Sequence, residues 1–254
     1  MTSTTYSVPC IRQRADGFDA DHPLSVSVPG SKSITNRALL LATLAEGTST
    51  LNGVLFSDDS RHFLSCIQTL GFETSVDEAA RTIRVTGLGG QLPKKEASLY
   101  VGSAGTAARF LSAYLGLSGD GIYHMESSAQ MQKRPMAPLL DSLKSLGCEI
   151  TYQGEEGHFP FTVKGHGFLR DRITVSIEES SQFLSALLIV SCLAGQDFLT
   201  CIDGTHGRAY VEMTIKMMEQ FGVTTVPLYY CSGNNENHSC TGCINSSLPY
   251  AYKT

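Results

Sequence analysis

Three short turns rich in hydroxyl side chains each stand directly before an apolar segment, and basic residues lie close to them. The turns occupy residues 30–33, 102–106 and 179–182. A turn that opens a helix presents unpaired backbone N–H groups and the positive end of the helix dipole, which together favour a bound anion. The basic residues near the turns are Lys32, Arg37, Arg109, Lys133 and Arg134. Guanidinium groups hold carboxylates and phosphates through paired hydrogen bonds, so these residues favour the binding of small anionic molecules.

Ordinary helix capping is the alternative explanation of these turns. For any one turn it is the better explanation, because Ser and Thr are common capping residues. Three such turns in three copies of one sequence unit favour a shared anion site instead.

The elements that must position these turns form an internal repeat. Gly71, Gly147 and Gly222 each follow an amphipathic helical pattern and are spaced 76 and 75 residues apart. A glycine directly after the last periodic residue is a common signal for the end of a helix. Alternating, strand-like patterns at residues 24–28, 82–87, 161–165 and 173–177 complete the unit. The sequence therefore predicts an α/β fold made of three β-α-β-α-β-β units.

The predicted units span about residues 24–95, 96–167 and 168–225, after an N-terminal segment of residues 1–23. The third unit breaks the pattern, because residues 236–240, where its last strand should fall, do not resemble a strand. We therefore expect the third unit to be incomplete and to leave a sheet edge open. Residues 226–254 are interpreted as an aberrant or disordered tail.

Composition and charge argue against several classes of function. With 42% hydrophobic and 17% charged residues the chain can form a sizeable core. No apolar run reaches the length of about 18 residues that a membrane span needs. A net charge of -5 without a basic run argues against a nucleic-acid partner. The start of the chain lacks the pattern of a secretory signal, so a cytoplasmic location is expected.

The eight cysteines are expected to be reduced thiols. Four lie in apolar stretches and are expected in the core: Cys66, Cys148, Cys192 and Cys201. A zinc site is the alternative interpretation of a C-terminal group, which comprises Cys231, His238, Cys240 and Cys243. We disfavour zinc because the group contains only one CxxC pair, and we predict no metal site.

Six sequence strings, taken together, resemble the EPSP synthase family (5-enolpyruvylshikimate-3-phosphate synthase, or 3-phosphoshikimate 1-carboxyvinyltransferase). They are PGSKSITNRALL at 29–40, SDDSRH at 57–62, GSAGTAAR at 102–109, KRPM at 133–136, SSQF at 180–183 and YVEMT at 210–214. The resemblance implies two lobes of three repeated units each. This chain would cover one lobe and the strand that leads in from the other. The resemblance also implies a transferase, often monomeric, that needs no metal or organic cofactor.

The family transfers the enolpyruvyl group of phosphoenolpyruvate to the 5-hydroxyl of shikimate 3-phosphate, in the shikimate pathway to chorismate and the aromatic amino acids. Because the second lobe would be missing, we expect a truncated form that is inactive alone. One alternative is a non-catalytic phosphoshikimate-binding half-protein that needs a complementing lobe. Another is the sister enzyme that acts on UDP-N-acetylglucosamine. That enzyme usually has Lys-Asn at the position of Lys32 and Ser33, and a loop cysteine that Cys148 does not match.

The resemblance further implies two substrate sites. The shikimate 3-phosphate site would comprise Lys32, Ser33, Arg37, Ser180, Ser181, Gln182 and Tyr210. The phosphoenolpyruvate site would comprise Lys32, Gly105, Arg134 and Gln182. Lys32 would act electrostatically on both substrates. The residue that takes the proton from the 5-hydroxyl would belong to the missing lobe.

Individual roles follow from the same resemblance. Ser33 and Arg37 would hold the shikimate carboxylate, with Arg37 forming a fork of two hydrogen bonds. Ser180 and Ser181 would surround the phosphate, and Tyr210 would lie beside the ring. Arg109 would shape the loop that precedes it, while Asp58 and Asp59 are interpreted as helix caps and salt-bridge partners. Three positions depart from the family's usual residues: Ser103 replaces Asn, Phe110 replaces Pro, and Gly207 replaces a phosphate-binding Ser.

Overall fold

The computed structural model describes residues 28–228 and 242–247. The first unit contains α1 (Lys32–Leu44), β1 (Glu46–Asn52), α2 (Asp58–Thr69), β2 (Thr74–Asp77) and β3 (Thr82–Leu88). The second contains β4 (Glu96–Tyr100), α3 (Gly105–Leu117), β5 (Gly121–Glu126), α4 (Ala129–Gln132), α5 (Ala137–Ser145), β6 (Glu149–Tyr152) and β7 (Phe161–Gly165). The third contains β8 (Arg172–Ser176), α6 (Ser181–Ser191), β9 (Phe198–Asp203), α7 (Arg208–Gln220), β10 (Thr224–Leu228) and β11 (Gly242–Ser247).

Each unit contributes one sheet. The strand order is β4-β5-β7-β6 in the second unit and β8-β9-β11-β10 in the third. In both sheets the first two strands run parallel and the remaining neighbours are antiparallel. The first sheet has the order β1-β3-β2, so among the described residues it has no counterpart of β4 and β8. The strand predicted at residues 24–28 lies outside the described residues except for its last residue, Val28.

The expectation that the third unit lacks its last strand is wrong. β11 lies between β9 and β10, with Cys243 opposite Cys201 and Ser246 opposite Thr225. The prediction failed because it assumed the short connections of the first two units, whereas residues 229–241 separate β10 from β11. The remaining residues of the predicted tail, 229–241 and 248–254, lie outside the described residues.

The core surrounds three helices that follow the hydroxyl-rich turns. α1, α3 and α6 pack against one another. Every residue of α3 is buried, as are Leu39, Leu40 and Leu41 of α1. A helix that is buried on every face is stable only where other elements cover it, and α3 packs against α1, α2, α5 and α6 as well as against β5 and β7. None of the helices in the described part of the chain is both long and apolar enough to cross a bilayer.

The glycines that mark the repeat end their helices as predicted. Gly71, Gly147 and Gly222 follow α2, α5 and α7 with φ of 96°, 111° and 82°. This left-handed conformation closes a helix at little cost only for glycine. Of the cysteines expected in the core, Cys66, Cys148 and Cys192 are buried and Cys201 is half-buried. Burial raises the pKa of both Cys66 and Cys148 to about 12.

Candidate functional site

The starts of α1, α3 and α6 lie side by side, and side chains from their first two turns connect them. Arg37 of α1 donates a hydrogen bond of 3.1 Å to Ser185 of α6. Arg109 of α3 donates one of 3.0 Å to Gln182 of α6. Arg37 also lies over the Phe110 ring of α3, 5.4 Å from its centroid. The structure therefore brings the three predicted turns to one place.

The three helix starts differ in how their backbone N–H groups are used. Ser31 accepts a hydrogen bond from the Ile34 N–H at the start of α1. Ser180 accepts one from the Gln182 N–H at the start of α6. Among the residues that the structure describes, no side chain caps α3, whose first residue is Gly105. The first N–H groups of α3 therefore remain available to an anion.

Gly105 is the point on which two guanidinium groups and an amide converge. A Cβ atom built on Gly105 would lie 2.7 Å from Nη1 of Arg109, 3.1 Å from Nη1 of Arg134 and 3.8 Å from Oε1 of Gln182. Glycine keeps this space open, because any side chain would displace one of the three groups. Gly105, Arg134 and Gln182, which the sequence assigned to one ligand, are thus neighbours.

Arg109 is buried at this point without an ion-pair partner among the described residues. Its Nη1 donates to the Gly105 carbonyl and to Gln182, its Nη2 donates to the Pro135 carbonyl, and its Nε has no partner within the described part of the chain. Burial, and then the charge of Arg134, lower the pKa of Arg109 to about 10, while Glu179 acts in the opposite direction. Two cations held this close disfavour each other's charge, and a bound anion would relieve that repulsion.

Arg37 is 2% exposed, and its guanidinium is largely occupied by the protein. Nε donates to Thr214 at 2.7 Å, and Nη2 donates to Ser185 and to the Tyr210 carbonyl. Nη1 donates to the Ser33 carbonyl, so one of the five N–H groups has no partner among the described residues. The predicted fork of two hydrogen bonds to a carboxylate therefore does not fit this geometry. Burial also lowers the pKa of Arg37 to about 10.

Lys32 lies at the first position of α1 with its side chain half exposed, and it pairs with Asp59. The distance from Nζ to Oδ2 is 3.2 Å. Asp59 is therefore a salt-bridge partner, as expected, but neither Asp58 nor Asp59 caps α2. Ser57 is the cap, in a reciprocal arrangement with Ser60. Both carboxylates lie instead in the first turn, where the helix dipole favours negative charge.

No group of three or more His, Cys, Asp or Glu side chains within the described ranges could hold a metal ion. Cys231, His238 and Cys240 of the zinc alternative lie outside those ranges, and the side chain of Cys243 is not described.

Comparison with known proteins identifies the family. The family model described as EPSP synthase (3-phosphoshikimate 1-carboxyvinyltransferase) matches residues 23–242. The chain belongs to the EPSP synthase family. A curated relative from Trichormus variabilis, named 3-phosphoshikimate 1-carboxyvinyltransferase, is 40% identical over 220 residues, which are 86% of this chain and 50% of the relative. One of the same name from Shewanella woodyi is 42% identical over 204 residues, which are 80% of this chain and 48% of the relative.

Solved structures of EPSP synthase share the fold. One from Acinetobacter baumannii matches with a TM-score of 0.71 at 24% identity, covering 89% of this chain and 47% of that one. The chain therefore spans about half the length of the curated relatives and of the solved structure that it matches.

Two departures from the pattern of EPSP synthases have local structural consequences. Gly207 caps α7 in the left-handed conformation with φ of 68°, and a Cβ atom there would overlap the side chain of Ser181. A serine at this position would therefore displace Ser181. Phe110 is fully buried and supplies the ring over which Arg37 lies. Within the described ranges Ser103 forms no side-chain hydrogen bond or ion pair that would explain its replacement of Asn.

Tyr210 has two separate roles in the structure. Its side chain is 49% exposed on the surface of α7 beside the site. Its carbonyl accepts hydrogen bonds from Arg37 and Thr214. Thr214 and Ser185 were not predicted as partners of Arg37. Only the polarity of these two residues, at positions that are fully buried in helices, could have indicated that they have a hydrogen-bond partner in the core.

Proposed function

We propose that this chain forms half of a 3-phosphoshikimate 1-carboxyvinyltransferase and binds shikimate 3-phosphate and phosphoenolpyruvate. The observation that carries the proposal is the convergence of Arg109, Arg134 and Gln182 on Gly105, beside the uncapped start of α3. This arrangement is cationic, is rich in hydrogen-bond donors and leaves room for a ligand. Such a place suits a small ligand with several negative charges.

Phosphoenolpyruvate is assigned to the space in front of Gly105. Arg134 would donate to one of its anionic groups, and the first N–H groups of α3 would donate to another. Gln182 accepts from Arg109 through Oε1, so its amide nitrogen is left to donate to the ligand. Lys32 would contribute its positive charge once the substrate replaces Asp59 as its ion-pair partner.

Shikimate 3-phosphate is assigned to the starts of α1 and α6. Ser33 and the one free N–H group of Arg37 would hold the carboxylate, as single donors. Ser180 and Ser181, at the start of α6, would meet the phosphate where the helix dipole favours negative charge. The exposed ring of Tyr210 would lie against the carbon ring.

In the proposed reaction the 5-hydroxyl oxygen adds to C2 of phosphoenolpyruvate while C3 gains a proton. The tetrahedral intermediate then loses a proton from C3 while the bond from C2 to the phosphate oxygen breaks, which releases inorganic phosphate and leaves the enolpyruvyl ether. The cationic groups of this chain would stabilise the negative charge that develops on the departing phosphate. Proton transfer needs a positioned acid and base, and we assign no residue of this chain to that role. The chain alone is therefore expected to bind both substrates without turning them over.

Two measurements on the full chain test this proposal. Calorimetry should detect saturable binding of shikimate 3-phosphate at millimolar concentration, and an assay of phosphate release from the two substrates should detect no turnover. Absence of saturable binding would refute the site. Turnover near the rate of an ordinary enzyme, about 10 per second, would refute the view that the chain supplies only half of the catalytic machinery.

A further inference from the structure

The imidazole ring of His62 packs directly against the backbone of Gly102, the first residue of the second hydroxyl-rich turn. A Cβ atom built on Gly102 would overlap three atoms of that ring, namely Nε2, Cδ2 and Cε1. Gly102 is buried, and its φ of 57° lies in the left-handed region that favours glycine. The ring can approach the turn this closely because Gly102 has no side chain.

His62 lies on α2 and reaches across to the second unit. Its half-buried ring meets the ring of Tyr100, the last residue of β4, edge to face with 5.7 Å between the two centroids. Asp59 stands three positions earlier on the same face of α2 and forms the ion pair with Lys32. One face of α2 therefore contacts both the start of α1 and the turn that leads into α3.

Gly102 joins two parts of the proposed phosphoenolpyruvate site. Along the chain, it begins the turn that leads into the uncapped start of α3. Across the site, its carbonyl accepts the Ser128 N–H at 3.0 Å. Ser128 caps α4, and the Arg134 N–H donates to the Met131 carbonyl of that helix at 2.9 Å. A shift of Gly102 would therefore move both the first N–H groups of α3 and the guanidinium of Arg134.

The equivalent contact between the second and third units has different residues. α5 packs against β8 as α2 packs against β4. Counted back from the glycines that end the two helices, Pro138 of α5 corresponds to His62. Counted back from the starts of α6 and α3, Glu178 corresponds to Gly102. The repeat can therefore form this contact without a ring against a glycine, so the repeat architecture does not by itself require His62 and Gly102.

We propose that His62 is a positioning residue that holds turn 102–106 in the geometry that binds phosphoenolpyruvate, an inference that rests on the proposed function. The Val101 N–H, which donates to the end of β5, and the Gly102 carbonyl hold the turn to the second unit. The His62 ring closes the side that faces the first unit. Glycine has wide backbone freedom in this conformation, and the ring restricts that freedom. A site whose donors are fixed in advance loses less affinity to ordering when the ligand binds.

Calorimetry of the full chain with phosphoenolpyruvate and, separately, with shikimate 3-phosphate tests this role. His62→Ala should weaken phosphoenolpyruvate binding about tenfold, because the turn must then be ordered by the ligand. Binding of shikimate 3-phosphate, which is assigned to the starts of α1 and α6, should stay within about twofold. A general loss of structure would weaken the binding of both ligands. Equal losses for the two ligands, or unchanged binding of phosphoenolpyruvate, would therefore overturn the positioning role.

A second substitution tests whether the ring acts through Gly102. Gly102→Ala adds a methyl group that overlaps the ring and should weaken phosphoenolpyruvate binding about tenfold. When His62→Ala is combined with it, the methyl group enters the space that the ring leaves, so the loss should be well below the roughly hundredfold product of the single losses. Losses that multiply in the double variant would overturn a direct action of the ring on Gly102.

Gly89→Ala is the matched control for backbone strain. Gly89 has φ of 60°, close to that of Gly102, and within the described part of the chain nothing lies within 4 Å of its Cβ position. Its substitution therefore introduces the same strain without the overlap, and it should leave phosphoenolpyruvate affinity within about twofold. A loss as large as that of Gly102→Ala would attribute the effect to strain and overturn the role of the ring.

Hydrogen exchange tests the position of the turn without a ligand. The backbone N–H groups of residues 103–106 should exchange at least about tenfold faster in His62→Ala than in wild type, whereas those of residues 179–182 should not change. Unchanged exchange at residues 103–106 would overturn the positioning role whether or not a ligand binds. Faster exchange in a chain whose wild type binds no phosphoenolpyruvate would show that the ring holds the turn but that the ligand, and with it the proposed function, is wrong.

Discussion

Nη1 of Arg109 donates a hydrogen bond of 3.0 Å to Oε1 of Gln182, and this contact joins the second turn of α3 to the first turn of α6. The two helices belong to different repeat units, so the bond fixes the geometry of a site that neither unit forms alone. It also orients the amide, because Oε1 faces the guanidinium and the nitrogen is left to donate.

The Gln182→Glu substitution should raise the stability of the protein and weaken its binding of phosphoenolpyruvate. The new carboxylate would pair with Arg109, so the free energy of unfolding in urea should rise by about 1 kcal/mol. The same negative charge would repel the substrate, and calorimetry should show phosphoenolpyruvate binding at least about tenfold more weakly. Gln182→Met, which removes both hydrogen-bonding groups, should weaken binding without the gain in stability. A Glu variant that binds as well as wild type would argue against a ligand beside Gln182.

Gly105→Ala should weaken phosphoenolpyruvate binding while leaving the fold intact. The added methyl group would lie 2.7 Å from Nη1 of Arg109, and the flexible ends of the two arginine side chains can move away. We expect a loss of affinity of about fivefold or more, with the free energy of unfolding changed by less than about 1 kcal/mol. Gly154→Ala is the control, because its methyl group would meet only Pro160 at 3.9 Å. Equal affinity in both variants would contradict the assignment of the ligand to Gly105.

Local patterns in the sequence predicted the parts of this fold that are set by local hydrogen bonding. The hydroxyl-rich turns lead directly into α1, α3 and α6, and Gly71, Gly147 and Gly222 close three other helices. β11 was not predicted because few of its residues besides Ile244 are strongly apolar. Its sequence therefore lacks the alternation of apolar and polar residues that indicates a strand. Its position is set by pairing with β9 and β10. Such pairing depends on the tertiary fold.

The anion site was predictable as a set of residue types, whereas its internal geometry was not. Three turns in three repeats indicated that Gly105 and Gln182 could meet. The partners of Arg37 lie 148 and 177 residues away along the chain, at Ser185 and Thr214, and no spacing rule connects them. Those partners leave Arg37 one N–H group without a partner among the described residues, so the fork that the resemblance implied does not fit this arrangement. The substrate roles of these residues stay predictions.

Thr214→Val should destabilise the protein through Arg37. Thr214 accepts the Arg37 Nε–H at 2.7 Å inside the core, and valine keeps the shape but removes the acceptor. A buried donor left without a partner costs about 1–3 kcal/mol, which urea denaturation followed by circular dichroism would detect. Thr69→Val is the matched control, since among the described residues the Thr69 hydroxyl donates only to the Ser65 carbonyl, on an exposed helix face. If the two variants lose equal stability, Thr214 does not support Arg37.

Asp59→Asn should strengthen anion binding because it releases Lys32. The ion pair of 3.2 Å is partly exposed, so its removal should improve phosphoenolpyruvate affinity only about two- to fivefold. Loss of a carboxylate from the first turn of α2 should also lower the free energy of unfolding by about 0.3–1 kcal/mol. Asp58→Asn is the control, because it removes a carboxylate from the same helix turn but leaves the ion pair between Lys32 and Asp59 in place. It should therefore lower the free energy of unfolding without changing phosphoenolpyruvate affinity. Weaker binding in Asp59→Asn would mean that the pair positions Lys32 for the ligand.

Titration calorimetry of phosphoenolpyruvate with Arg134→Gln and Lys133→Gln tests the anion site at Gly105. The two variants remove one positive charge each from adjacent positions, and Nη1 of Arg134 is among the three atoms nearest to a Cβ atom built on Gly105, whereas Lys133 is not. Loss of a hydrogen bond to a charged group is worth about 1.5–3 kcal/mol, so Arg134→Gln should bind roughly ten- to a hundredfold more weakly than wild type. Lys133→Gln should stay within about twofold, since it changes only a screened, exposed charge. Equal affinities of the two variants would contradict a phosphoenolpyruvate site built by Gly105, Arg109, Arg134 and Gln182.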